Sequence, residues 1–452
     1  MVEPLAPHFL RVVYRWCKLL RVQLYPHQRQ AVAWLRERSH AVLADDMGLG
    51  KTATSLVAAV PKMLCVVPAV TTWNWGREVG MWRPRLSVQL VVTGKDSIDE
   101  DADVVIVSHG LLSRVCAVRS QIAAMRWETL IVDEAHMFRN RTAVRSRVLF
   151  RSIVGQCARV WLLTGTPMPN NPVDLWMLLR GILPADFPES WRAWRDQFCV
   201  LAPDRYDPSG SKVVGAKNTG ELRRRVRPHI LRRKKSDVLD LPRLRYESVS
   251  LRPMKWPAGF EELRNKVNAE AGLLDAMTPE EAYRALLDSQ HFSTYAKTCG
   301  LAKIDPVCEL LQQELAFTSH KVVIFARHLD VVAGIEKGLV RFGSASITGS
   351  VSSRGRQSIV DEFQDVGSGL RVLVCQIQAG GVGITLTAAT DAVFAELSFT
   401  PGDNSQARDR IYRIGQERPV RVRTVSLEGT VDSIVATVLS RKLAMQSEAG
   451  LR

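Results

Sequence analysis

The chain has 452 residues, 46% hydrophobic and 24% charged, with 61 Lys and Arg against 46 Asp and Glu and a net charge of +15. This length predicts two or three domains of roughly 100–200 residues, each able to bury its own core, and the composition excludes disorder, collagen and coiled coil as the main state. No apolar run approaches the roughly 20 residues of a membrane span. The start, with Glu3 and His8 and no small-residue cleavage site, is a poor secretory signal. Eight cysteines without a C-x-x-C pair or His partners at ligand spacing argue against a zinc site or a disulfide scaffold, so a reducing cytosol is expected.

Residues 1–250 carry 38 basic and 23 acidic side chains, whereas residues 251–452 carry 23 of each. Eight of the basic groups lie between Glu221 and Lys235. Such a one-sided field suits a polyanion partner, or it is a merely solvated basic surface. All 11 Trp precede residue 257, so the two parts of the chain are built differently.

In chain order, a helix is predicted over residues 26–38, a strand over 41–44, a helix over 52–60, and strands over 63–67, 104–107, 129–132 and 160–163. Short apolar runs alternating with helical patterns build a parallel sheet covered on both faces. The stretch 257–297 is rich in Glu, Ala, Leu and Arg at helical spacing and predicts a helical insertion or protrusion. Strands follow over 322–325, 372–375, 392–395 and 420–425, with helices over 354–363 and 430–443. Two α/β lobes joined through a helical region result: 1–236, then the linker and protrusion 237–304, then 305–452.

Between the strand 41–44 and its helix lies Asp45-Asp46-Met47-Gly48-Leu49-Gly50-Lys51-Thr52. Glycines at a strand-to-helix turn let backbone N–H groups and the helix N-terminus face an anion. Lys51 would then reach the β- and γ-phosphates of ATP, and the Thr52 hydroxyl would take a place on Mg²⁺. Asp133 and Glu134 follow an apolar strand, at the end that faces the ligand crevice of a parallel sheet. Asp133 is expected to hold Mg²⁺ and Glu134 to orient the attacking water. Leu163-Thr164-Gly165-Thr166-Pro167 closes another strand, where hydroxyls and a tight turn can sense the γ-phosphate.

In this order the motifs resemble those of the SNF2-like family of superfamily 2 ATPases. Asp45 in place of a first glycine is what that family shows, with Asp46 here replacing its Glu. Leu24-Tyr25-Pro26-His27-Gln28 resembles the glutamine motif, making Gln28 an adenine contact by analogy, and Val67-Pro68 through Trp75 and Glu78 resembles the next. Leu231-Arg232-Arg233-Lys234-Lys235-Ser236-Asp237-Val238 resembles the segment that links the lobes, so part of the basic run belongs to a family linker. The run Gln378 to Leu386, containing Gly383, resembles motif V, and Gln406 to Gln416 resembles motif VI, with Tyr412 where His is usual. Helical spacing would put Arg410 and Arg413 on one face, able to stabilise phosphoryl-transfer charge across an interlobe cleft. Gly383 and Gln416 are further nucleotide-site candidates. Residues Tyr295 to Leu311 and Phe394-Ala395-Glu396-Leu397 resemble the annealing-helicase branch, with Phe399 and Thr400 departing from it.

The resemblance implies two RecA-like doubly wound parallel-sheet lobes and an ATP-dependent, Mg²⁺-using translocase on duplex or branched DNA, held by phosphate contacts. Protein partners in replication, repair or recombination, and a bacterial or phage-infected cytoplasm, are part of the same expectation. The alternatives are a strand-separating DNA or RNA helicase and a non-hydrolysing nucleic-acid-binding remodelling subunit. Intact Lys51, Glu134, Arg410 and Arg413 speak against the last.

Overall fold

Strand β2 (Met63–Val67) is apolar and buried at all five positions, a pattern that requires cover on both faces. In the computed structural model, which describes residues 23–165, 167, 172–203, 211–271, 277–380, 383–430 and 432–439, β2 lies near the middle of a parallel sheet. Its companions are β1 (His40–Leu43), β3 (Val88–Leu90), β4 (Val104–Ser108), β5 (Trp127–Val132), β6 (Cys157–Leu163) and β9 (Ile230–Leu231). The order is β3-β4-β2-β5-β6-β1-β9, and each pairing is parallel. Alternate residues feed two separate cores: Val42, Leu64, Val66, Leu130 and Leu162 join one, and Leu43, Cys65, Val67, Ile131 and Trp161 the other. That is the period-two consequence of a strand apolar on both sides. Among the predicted features, residues before 23, Thr166, Gly381, Val382 and the helix end beyond 439 lie outside the described residues.

The chain divides into two compact units between Leu239 and Asp240. In the second, β10 (Leu244–Leu251), β11 (Lys321–Ala326), β12 (Ser344–Ile347), β13 (Val372–Gln376), β14 (Ala389–Phe394) and β15 (Val420–Leu427) form a parallel sheet in the order β10-β15-β14-β11-β13-β12. Val323, Phe325, Leu373 and Phe394 enter one core, and Val322, Ile324, Val374 and Val393 the other.

The stretch expected to be helical contains Phe260–Ala271, Pro279–Asp288 and Phe292–Ala302. Its Phe260, Leu286 and Tyr295 pack with Leu427, Val438 and Leu439, so it shares a core with the second sheet. The strand before it, β10, pairs with β15 along all eight residues. An antiparallel hairpin of β7 (Cys199–Pro203) and β8 (Ser211–Ala216) stands apart from both sheets. Among the described residues no helix is long and apolar enough to cross a membrane.

Candidate functional site

The turn leaving β1 is made by two glycines in the left-handed region, Gly48 at φ 82° and Gly50 at φ 75°, where a Cβ would be strained. Gly50 is the N-cap of helix α1 (Lys51–Ala58) and has no side chain with which to cap the helix's first N–H groups. Those donors and the positive end of the helix therefore face the loop. Lys51 Nζ donates to the carbonyls of Asp45 at 2.7 Å and Asp46 at 3.2 Å. Burial pulls its pKa below the usual lysine value, and the charges of Glu134, Asp45 and Asp133 oppose that. Thr52 is the second residue of the helix.

Gln28, buried on the helix Pro26–Arg36, braces this loop from the side: its Nε2 donates to the Leu49 carbonyl at 3.2 Å, and its Oε1 accepts from Tyr25 N at 2.9 Å. The His27 ring nitrogen Nε2 lies 3.2 Å from the same Leu49 oxygen. Gln28 thus meets the glycine loop directly, through Leu49.

Asp133 is the first residue past β5, and its N–H continues the ladder to Val66 O. Its carboxylate is held from two sides, by the Trp75 indole N–H at 3.0 Å and by Glu134 N at 3.0 Å. His109 Nε2 lies 2.9 Å from the Asp133 carbonyl. Burial, then the neighbouring Glu134 charge, pushes Asp133 above the usual carboxylate range. A carboxylate driven upward in this way, with a second one beside it, is a donor set that a divalent cation suits.

Glu134 itself takes φ 46° and ψ 48°, a left-handed conformation outside glycine's province. His136 Nδ1 lies 3.3 Å from Glu134 Oε2 and 3.2 Å from Thr164 Oγ1, joining the acidic pair to the turn that closes β6. Gly165 presses on the phosphate loop, since a Cβ there would come within 2.6 Å of Met47 Cγ. Gln28, Lys51, Thr52, Asp133, Glu134 and Thr164 therefore cluster about the ends of β1, β5 and β6, neighbours in the sheet. Trp75, His109 and His136 were not assigned roles from sequence. Trp75 stood within a recognised motif, but its partner is 58 residues away.

In the second unit, Gly383 takes φ 74°, and the following segment is stitched to motif VI. Leu386 N donates to Arg410 O at 2.8 Å, and Arg413 Nη1 to Ile384 O at 3.3 Å. The helix bearing this motif, Pro401–Arg408, ends before either arginine, with Asp409 as its C-cap. Arg410 and Arg413 therefore lie in the turns that follow, and the expected helical spacing does not apply to them. The backbone of motif V helps to fix them. The Gln416 amide is committed to the chain itself: Nε2 donates to Thr387 O, Ala389 O and Ile411 O, and Oε1 accepts from Arg418 N. A buried amide bonded in this way braces motif VI rather than offering itself to a ligand.

Comparison with known proteins matches the SNF2-related domain to residues 27–257 and the helicase conserved C-terminal domain to residues 302–415. The DNA annealing helicase and endonuclease ZRANB3 of Mus musculus is 31% identical over 445 residues, which is 94% of this chain and 40% of that protein. The SWI/SNF-related matrix-associated actin-dependent regulator of chromatin subfamily A-like protein 1 of Xenopus tropicalis is 30% identical over 442 residues, 95% of this chain and 45% of that protein. The chain thus spans less than half the length of these relatives. The solved Sulfolobus solfataricus SWI2/SNF2 ATPase core in complex with dsDNA aligns with a TM-score of 0.45 and 22% identity, covering 95% of this chain and 94% of that one. Both units are RecA-like lobes, each a parallel sheet covered by helices. With that architecture, and with the SNF2-related domain spanning 27–257 of its 452 residues, the chain belongs to the SNF2-related family.

Proposed function

We propose that the protein is a DNA-stimulated ATPase that moves along double-stranded DNA without separating its strands. The observation that carries the reading is the meeting of Lys51, Asp133, Glu134 and the Gly48–Gly50 loop about neighbouring strand ends. Lys51 would bind the β- and γ-phosphates of ATP, exchanging two loop carbonyls for phosphate oxygens. Thr52 and Asp133 would hold Mg²⁺, which when bound neutralises charge on the phosphates. Glu134 would orient the attacking water and draw on its proton, with its carboxylate beside His136, which also meets Thr164. Arg410 and Arg413, both in the second unit, would supply the permanent charges that phosphoryl transfer requires.

The name of a relative, a DNA annealing helicase, favours DNA over RNA as the partner. Contacts to phosphates would make the tracking indifferent to sequence. The test is ATP turnover at stated salt with no nucleic acid, single-stranded DNA, duplex DNA, branched DNA and RNA. Stimulation by duplex or branched DNA with no strand displacement is expected. Stimulation confined to single strands or RNA, or displacement of a strand, would replace this reading with that of a strand-separating helicase.

A further inference from the structure

The basic run from Glu221 to Lys235 divides into two kinds of residue. Arg223, Arg224 and Arg227 are exposed. Arg225 is bonded to Glu189 and lies over the Phe187 and Trp194 rings. Farther along, the run turns into the sheet: Leu231 pairs with Leu43, Ala44 N donates to Leu231 O at 2.7 Å, and Asp46 N donates to Arg233 O at 3.0 Å. The strand entering the phosphate loop thus runs beside the basic segment, residue against residue.

Side chains complete the strap. Arg233 grips the Asp45 carboxylate with two guanidinium nitrogens, Nε at 3.0 Å from Oδ1 and Nη2 against Oδ2, and gives Nη1 to the His27 carbonyl. Lys235 N donates to Asp46 Oδ2 at 3.1 Å, and Arg232 Nη2 lies 4.0 Å from Asp46 Oδ1. Asp45 is only 2% exposed. The same two residues, Asp45 and Asp46, present the carbonyls that receive Lys51 Nζ. His27 precedes Gln28, whose amide holds Leu49 O on the other flank of the loop. One guanidinium therefore binds both supports of the phosphate loop. It sits six residues before the chain leaves the first unit at Leu239.

We propose that Arg233 is a positioning residue for the nucleotide site, fixing Asp45 and His27 so that Lys51 and Gln28 are held ready for ATP. In this arrangement Arg232 and Arg233 serve as internal counter-ions to the acidic pair and not as contacts to DNA. The bidentate geometry is one that Lys cannot reproduce, so charge alone would not suffice. The inference rests on the nucleotide reading above, and wild-type protein that neither binds MgATP nor turns it over would defeat that reading first.

Given active wild type, the test measures MgATP affinity and the salt dependence of duplex-DNA affinity for Arg233→Ala, Arg233→Lys, Asp45→Asn and the double variant Asp45→Asn/Arg233→Ala. Both arginine variants should weaken MgATP binding, Arg233→Ala about tenfold. The Asp45 and Arg233 effects should be strongly non-additive, as for residues that act through one contact. The slope of log affinity for DNA against log salt should stay at its wild-type value, because no phosphate contact is lost. Wild-type MgATP affinity in Arg233→Ala would overturn the proposal, and so would a shallower salt slope, which would make Arg233 a DNA contact. If Arg233→Ala does not fold, Arg233→Lys decides by the same two measurements: wild-type MgATP affinity refutes the proposal, and weakened affinity with an unchanged slope supports it.

Discussion

Glu134, with φ 46° and ψ 48°, holds a conformation that costs a non-glycine residue of order 1 kcal/mol, at the point where water activation is proposed. Glu134→Gln keeps the shape and removes the charge. It is expected to lower DNA-stimulated turnover about 100-fold or more while MgATP binding persists, checked by steady-state kinetics beside equilibrium binding. Lys51→Ala should act differently, by weakening MgATP binding itself. Trp75 offers a finer probe, because its indole N–H is one of the two donors to the Asp133 carboxylate and its ring is 1% exposed. Trp75→Phe retains most of the packing and loses the donor. Supporting hydrogen bonds of this kind typically contribute 10- to 100-fold to metal affinity, so Mn²⁺ titration in the presence of nucleotide should show about tenfold weaker binding. Unaltered Mn²⁺ affinity would mean that Trp75 serves packing alone.

At the scale of elements, the helix Phe292–Ala302 is tied to the second sheet by a buried cation just beyond its end. Lys303, 3% exposed, donates Nζ to Ala395 O and Val425 O at 2.9 Å each and pairs with Asp432 at 2.8 Å. Lys303→Met would take one donor from two carbonyls and leave Asp432 with the Leu427 N–H but without its buried cation. A loss of about 3 kcal/mol is expected in urea unfolding of the full chain. Beside it, Glu396 accepts from Arg327 N, His328 N and His328 Nδ1. Burial acts to raise the Glu396 pKa, but the bond to His328 and its charge outweigh it, and the net shift is downward from 4.5. A carboxyl whose folded pKa is depressed stabilises the fold above its ordinary value, and that contribution is lost as pH falls through 4.5 and below. Urea midpoints followed from pH 7 to 3 should therefore fall along an acid limb that Glu396→Gln flattens. An identical limb in the variant would assign the loss to other groups. Gly300 allows this arrangement, since a Cβ there would stand 2.3 Å from Glu396 Oε1.

The sequence showed such elements unevenly. Central strands such as β2 and β11, buried at every position, were legible as apolar runs. Edge strands were not: β10 mixes half-buried with exposed residues and carries Arg245 and Glu247, and β12 reads Ser-Ala-Ser-Ile. The two-residue β9 lies within a basic run, with no pattern of its own. An edge strand is defined by the neighbour it pairs with, and a single stretch of sequence does not contain that neighbour.

For the molecule as a whole, a net charge of +15 predicts DNA binding that weakens steeply with salt, with a log–log slope of about −0.9 for each phosphate neutralised. Equal slopes on unrelated duplex sequences would mark phosphate contacts, and a flat response would exclude a polyanion partner. The two-lobed mechanism is tested in the full chain by Arg410→Ala and Arg413→Ala. Arginines that stabilise phosphoryl transfer contribute about 10³- to 10⁵-fold in rate. At least one variant should lose a large part of its DNA-stimulated turnover with MgATP affinity nearly intact. Wild-type rates in both would refute the role of motif VI in catalysis.

By itself the sequence determined the two parallel sheets, the glycine-shaped loop before Lys51, and the acidic pair after an apolar strand. Each is written in contiguous residues whose apolar periodicity, or need for positive φ, acts locally. The tertiary structure decided which residues serve one another. Arg233 meets Asp45 across 188 positions, Trp75 meets Asp133 across 58, and Lys303 meets Val425 across 122. It also ended the motif VI helix at Arg408 and turned the Gln416 amide inward onto three carbonyls. These pairings depend on which strands lie side by side and on which buried polar groups lack water. That is set by packing of the folded chain, where most buried donors and acceptors find a partner.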